Sequence, residues 1–265
     1  MRFLIIGDIV GRPGRRAVAK FIDQIREAEG VDVVLANVEN AAGGFGITKK
    51  VYEELKGLGI DVFTSGNHIW DKKEVLQFID SSPDLLRPAN YPEGVPGRGY
   101  GVFEKDGKRF AVINLMGRVF MDYGLENPFK VFDRIYGEVS KETKVIVVDF
   151  HGEATSEKWA FAIYADGRAS VVYGTHTHVP TADEMILKRG TAYVTDVGMT
   201  GPLYSVIGMR YKEPIERFLL AMPRKFQVEE KEDVIFNAVL VDVEEDTGRA
   251  VSIRRIKRFL TWSSS

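Results

Sequence analysis

The chain has no cysteine. That absence removes disulfides, thiolate nucleophiles and Cys-ligated zinc together, so any metal would be held by His, Asp, Glu or Asn. Long apolar runs are missing as well. The opening "MRFLIIGDIVGRPG" is broken by Gly and Asp after a few residues, too short for a signal peptide or a membrane span. A cytoplasmic protein without a membrane partner is the expectation. Neither sign of charge dominates, because 36 basic and 38 acidic residues are well mixed, and no basic face advertises nucleic acid. Histidine is scarce, with four in 265 residues, yet two of the four stand in "GTHTH", residues 174–178.

With 45% hydrophobic residues the chain can bury a large core, and one domain over residues 1–260 is expected. Short β-branched runs at 2–7, 32–36, 61–64 and 144–149 read as buried strands. They alternate with helical spacing in "RRAVAKFIDQIREAEG", "TKKVYEELKGLG" and "KKEVLQFID"; the second opens on a Thr cap, and the first two end on Gly. This βαβα order predicts a parallel sheet with right-handed crossovers. From about residue 100 the texture changes. "GYGVFEKDGKRFAVINL" predicts a hairpin around Asp106 and Gly107, and 169–175, 184–196 and 234–259 add strands richer in antiparallel pairing. The expected fold is therefore an α/β sandwich of two mixed β-sheets face to face, flanked by helices. Residues 199–230 break the strand rhythm and hold one helical run, so a cap or contact excursion is expected there. The closing "TWSSS" reads as a loose end.

Five polar clusters follow directly on the expected strands: Asp8, Glu39 with Asn40, Asn67 with His68, His151, and His176 with His178. In open α/β sheets, ligand sites gather beyond the carboxyl ends of strands, where loops from neighbouring strands converge. All four histidines stand at such ends. The oxygen and nitrogen donors suit Mn²⁺, Fe or Zn²⁺ better than an all-oxygen Ca²⁺ site. Two metals about 3.5–4 Å apart can hold a bridging hydroxide while neutralising a phosphoryl oxygen, and Glu39 is the candidate bridging carboxylate.

Each cluster alone has a plainer reading. Asp8 could cap the helix beginning near Pro13. Glu39-Asn40 and Asn67-His68 could be solvated turns. His176 and His178 in an extended segment would share one face and could be surface residues. "GRPGR" lacks the GKS or GKT ending of a phosphate loop. Arg118 could reach a substrate phosphate or simply face solvent. Trp70, Tyr91, Phe120 and Tyr204 could stack a nucleobase, although most aromatics in such a chain are core.

Taken in order, "GD", "EN", "GNH" and "GTHTH" resemble the calcineurin-like metallophosphoesterases. "GDIVGRPGR", "NVENAAGGFGIT", "TSGNHIWDKKE", "RPANYP", "DFHGEATSEK", "GTHTHVPTAD" and "TDVGMTG" are similar to the YmdB-like branch of that superfamily, over roughly residues 1–257. The resemblance implies a dinuclear phosphodiesterase of small cyclic nucleotides such as 2',3'-cyclic AMP. It implies a first metal held by Asp8, Glu39, Asn40 and His178, and a second held by Glu39, Asn67, His151 and His176, with His68 as proton donor. The superfamily's usual D-x-H motif is replaced here by "DIV", with Val10 in place of the histidine, and Glu39 stands where an Asp is usual. Harder, oxygen-rich ligation then makes iron, manganese or magnesium more credible than two zincs. Branch members are often described as oligomers, so a homo-oligomer is expected.

Two alternatives accompany this expectation. The same centre could serve a phosphomonoesterase or a phosphoprotein phosphatase, since such centres recur with several substrates. A metal-bearing regulatory or scaffold protein, using residues 199–230 as a contact surface, would turn substrate over only incidentally.

Overall fold

The computed structural model describes residues 1–121 and 124–261, so the "WSSS" that ends the chain lies outside the described residues. Three strands, β1 (Arg2–Ile6), β2 (Val33–Asn37) and β3 (Val62–Thr64), pair in parallel, with α1 (Gly11–Glu29) and α2 (Lys49–Gly57) crossing between them. Buried on both faces, these strands read as apolar runs and not as alternation. The expected stop and start signals are used. Gly30 ends α1 in the left-handed region at φ 62°, and Thr48 accepts a hydrogen bond from the Val51 amide at 3.4 Å to open α2.

Residues 72–80, expected to continue the helical series, instead fall in two 3-10 turns, Lys73–Gln77 and Ile79–Ser81. Lys72 supplies no side-chain cap, and Phe78 leaves helical angles at φ −135°. α2 is no longer than this stretch, but it opens on the Thr48 cap that Lys72 cannot supply.

The second sheet runs β4-β5-β6-β7-β9-β8, from β4 (Tyr100–Lys105), β5 (Lys108–Met116), β6 (Ile146–His151), β7 (Val171–Thr175), β8 (Met185–Ile186) and β9 (Ala192–Val194). The hairpin between β4 and β5 turns on Asp106 and Gly107, both at positive φ (50° and 77°), as a two-residue type I′ turn requires. The chain then returns to the first sheet through β10 (Gly201–Pro202), β11 (Val234–Val243), which runs antiparallel to β1, and β12 (Ala250–Leu260), which runs antiparallel to β11. Both sheets are thus mixed.

Alternation along the strands explains the layering. Phe3 and Ile5 of β1 point toward Phe110 and Val112 of β5 in one inter-sheet core, while Leu4 and Ile6 point the other way, toward α1 and α2. Phe3 and Phe110 meet edge to face at 5.6 Å across the sandwich, a contact that contributes about 0.5–1.5 kcal/mol beyond its burial. The outer face of the second sheet is covered by α3 (Pro128–Val139) and α4 (Thr155–Ala165).

At one edge the core turns polar. Asn37 of β2, Thr64 of β3, Asp149 of β6 and Thr175 of β7 hydrogen-bond to one another across the two sheets. This network ties the carboxyl ends of four strands together directly beneath the loops that carry the expected clusters. Residues 199–230 contain β10 and α5 (Lys212–Leu220) and lie beside that edge. Among the described residues no helix is long and apolar enough to cross a membrane.

Candidate metal centre

Asp8, Glu39, Asn40, Asn67, His68, His151, His176 and His178 come together at the carboxyl edge of β1, β2, β3, β6 and β7. Asp8 does not cap α1: Val10 holds the cap position and makes no side-chain cap bond, while Asp8 Oδ2 accepts from the His176 amide at 3.3 Å.

The tightest group is Glu39, His151 and His176, whose donor atoms lie within 4.8 Å of one another. His151 Nε2 stands 3.1 Å from Glu39 Oε1, 3.0 Å from Asn67 Oδ1 and 3.0 Å from His176 Nδ1. A single ring N–H points well at one such partner, whereas a cation among these atoms can satisfy them all. The second group is looser. His178 Nε2 lies 3.2 Å from Asn40 Nδ2 and 3.9 Å from Asp8 Oδ1, and Asn40 Nδ2 lies 3.4 Å from Glu39 Oε1. Among the described residues, Asp8 Oδ1 is buried with no hydrogen-bond donor. Such an orphan costs about 1–3 kcal/mol or more, and a cation would remove that cost.

Outer partners set the face that each ring presents. The Thr175 hydroxyl donates to Asp149 Oδ1 at 2.7 Å, so toward His151 Nδ1, 2.9 Å away, it accepts. The neutral His151 ring then presents Nε2 as a lone pair. Glu153 Oε2 lies 3.2 Å from His176 Nε2, leaving Nδ1 for the cluster, and His178 Nδ1 donates to the Ile207 carbonyl at 2.9 Å, leaving Nε2. Each of these three rings thus turns one nitrogen toward the cluster, the arrangement that metal-binding imidazoles need.

The electrostatics point the same way. Burial raises Asp8 above the usual carboxylate range. Burial also works against ionisation of Glu39, but the charge and hydrogen bond of His151 outweigh it and hold the carboxyl low. Conversely, burial works against a charged His151, and the Glu39 charge raises it. His176 is pushed down to about 3 by burial and by His151 beside it. A cation among these groups would take over the positive charge that a proton on His151 supplies beside Glu39.

His176 and His178 do not lie in an extended segment. Their φ angles are 98° and 66°, a left-handed backbone that non-glycine residues adopt at a cost, so the expected strand alternation is not what aims them. Asp196 holds this turn. Its Oδ2 accepts from the Thr177 amide at 3.2 Å, the Thr177 hydroxyl at 2.7 Å and Lys158 Nζ at 2.8 Å, while Lys158, 1% exposed, also donates to the Thr175 carbonyl at 2.8 Å. Gly66 meets a steric demand: a Cβ there would fall 2.2 Å from the His151 ring.

His68 is tied to this cluster through its backbone. Its amide donates to Glu39 Oε2 at 3.0 Å, its Nδ1 lies 2.8 Å from Asp71 Oδ2, and its ring meets Phe45 edge-on at 5.0 Å. With Nδ1 held by Asp71, Nε2 is left for the cavity that His68 lines.

A family model described as YmdB-like protein matches residues 4–256. The chain belongs to the YmdB-like family. Among its relatives, the 2',3'-cyclic-nucleotide 2'-phosphodiesterase of Bacillus subtilis is 48% identical over 256 residues, covering 97% of this chain and 96% of the relative. A hypothetical protein from Thermus thermophilus superposes with a TM-score of 0.92 at 43% identity, covering 98% of this chain and 99% of that one. A structure titled as a novel phosphatase, from Mycoplasma pneumoniae, also gives 0.92 at 35% identity, covering 98% and 93%.

In this YmdB-like chain the centre forms the floor of a cavity of about 530 Å³, whose outer wall comes from Phe45 and from residues 206–226. Val10, at the position of the superfamily's usual histidine, is fully buried against Met199, Met209 and Val228, so it anchors that wall. Arg118, Trp70, Tyr91, Phe120 and Tyr204 do not line the cavity. Trp70 and Tyr91 pack against each other at 5.9 Å over the helical core, while Phe120 and Tyr204 are exposed. The aromatics at the cavity are Phe45, Phe218 and Phe226. Sequence reasoning also passed over Asp71, Asp149, Glu153, Lys158, Thr175 and Asp196. A signal existed for some of them, since Asp149 is an acid inside an apolar strand two residues before His151, and Thr175 opens the "THTH" run.

Proposed function

We propose that this YmdB-like chain is a metal-dependent phosphoric diester hydrolase that opens small cyclic nucleotides such as 2',3'-cyclic AMP. Asp8, Glu39, Asn40 and His178 would hold one ion, and Glu39, Asn67, His151 and His176 the other, with Glu39 shared. The observation that carries the reading is the set of three inward-turned imidazole nitrogens around two fully buried carboxylates, one of them with an orphaned oxygen. A donor set of oxygen and nitrogen without sulfur suits iron, manganese or magnesium. When bound, such ions neutralise charge on phosphoryl oxygens and make a nucleophile available from water near neutral pH.

The chain's own residues supply the rest. His68 stands at the cavity with Nδ1 held by Asp71, so its Nε2 can give a proton to the ribose oxygen as the P–O bond breaks. The Glu39 carboxylate fixes the His68 backbone from below, which couples acid and metal floor through one side chain. The substrate class is supported by the Bacillus subtilis relative, named for 2',3'-cyclic nucleotides.

Hydrolysis of 2',3'-cyclic AMP should vanish after chelation and return with Mn²⁺. Full turnover by protein verified to be metal-free would overturn the reading. A second reading, phosphomonoesterase, is favoured by the Mycoplasma pneumoniae structure titled as a phosphatase. Matched rates on p-nitrophenyl phosphate and its bis-ester separate the two.

A further inference from the structure

The outer wall of the cavity is the part of the site that the chemistry above leaves unexplained. Pro214, Arg217 and Phe218 of α5 all line it, and their spacing of i, i+3 and i+4 puts them on one helical face turned toward the metal floor. Phe226 also lines the cavity and lies under the Arg217 guanidinium at 5.5 Å from its ring centre, which pins that charge at the wall. Phe45 and Phe226 pack into the small cluster around Val10, Met199, Met209 and Val228. Phe218 does not. It is 83% exposed although it borders a concave site, and Ile207, whose carbonyl holds His178, lines the same cavity and is half exposed as well.

An exposed phenyl at the mouth of a polar catalytic cavity is a surface that water covers poorly and a flat apolar ligand covers well. The floor carries buried acids and histidines; the wall is apolar with one cation. A nucleoside phosphodiester divides in the same way, into an anionic phosphate and a planar base.

We propose that Phe218, with Ile207 of the same cavity, forms a base-binding subsite that makes the enzyme select nucleoside diesters over diesters lacking an aromatic base. The inference rests on the phosphodiesterase reading. Phe218 is a specificity residue that touches the base, and it takes no part in bond breaking. Arg217, held over Phe226, is the one cation of that wall. Stacking on an aromatic ring is sequence-tolerant, so purine and pyrimidine substrates both gain from Phe218.

The test compares kcat and KM for 2',3'-cyclic AMP and for glycerol 1,2-cyclic phosphate, which keeps the five-membered cyclic diester and lacks the base. Manganese-loaded wild type, Phe218→Ala and Phe218→Tyr are measured, with elution volume recorded for each. Phe218→Ala should raise KM for the nucleotide by roughly tenfold with kcat kept, leave glycerol 1,2-cyclic phosphate unchanged, and be rescued by Phe218→Tyr. An unchanged nucleotide KM in Phe218→Ala overturns the subsite. So does a change in elution volume with both substrates affected alike, which assigns Phe218 to contact between copies. Failure of wild type to hydrolyse either diester overturns the phosphodiesterase reading and this inference with it, a result distinct from loss of base discrimination alone.

Discussion

The floor and the outer wall of the cavity are built by opposite means. The floor is assembled from five strand ends in two sheets, its acids are fully buried, and nearly every polar atom is tied to another. The wall comes mainly from one segment, residues 206–226, that touches the core through a few apolar anchors such as Met209 and leaves Phe218 and Ile207 open to solvent. Chemistry on phosphorus needs groups held to fractions of an ångström, which sheet ends and buried networks provide. Selection of a ligand's outer half tolerates looser contact, and a helix on a connecting segment provides that.

Substitutions ordered by effect test this contrast. Glu39→Gln should be the most damaging, because it removes the carboxylate that contacts His151, Asn40 and the His68 amide. Turnover of 2',3'-cyclic AMP should fall by about 10³-fold or more, and elemental analysis should show both metals depleted. His68→Ala should lower kcat by about 10²- to 10⁴-fold while the metal content stays at the wild-type level; turnover at the wild-type rate would remove His68 from the mechanism. Thr175→Val keeps the shape but takes away the hydroxyl between Asp149 and His151. Metal affinity, measured by competition with a chelator, should weaken about 10- to 100-fold. Tyr204→Ala should change turnover by less than about twofold, since this exposed aromatic does not line the cavity. A large loss there would mean that the wall extends further than the structure places it.

Much of the floor was legible before the structure because its signals are local. A buried strand followed at once by an acid, amide or histidine marks a strand end whatever the rest of the chain does, and Asp106-Gly107 named its own turn. What escaped notice depends on pairings remote in sequence. Lys158 and Asp196 look like ordinary surface charges until α4 and the loop after β9 bring them to 2.8 Å inside the protein. Asn37 meets Asp149 across 112 residues. The positive φ of His176 and His178 has no glycine to announce it, because the Asp196 network imposes it from outside the turn. The wall was hardest of all. Trp70, Tyr91, Phe120 and Tyr204 were the aromatics that the sequence offered for stacking, whereas Phe218 reaches the cavity only through the folding-back of α5.

The central claim is that two cations share Glu39, with His178 serving one and His176 the other. Metal stoichiometry of the wild type, His176→Ala and His178→Ala, measured by elemental analysis after loading with Mn²⁺, tests it directly. The account predicts two ions per chain in the wild type and one in each variant. Less than one ion in the wild type, or two in either variant, would contradict it.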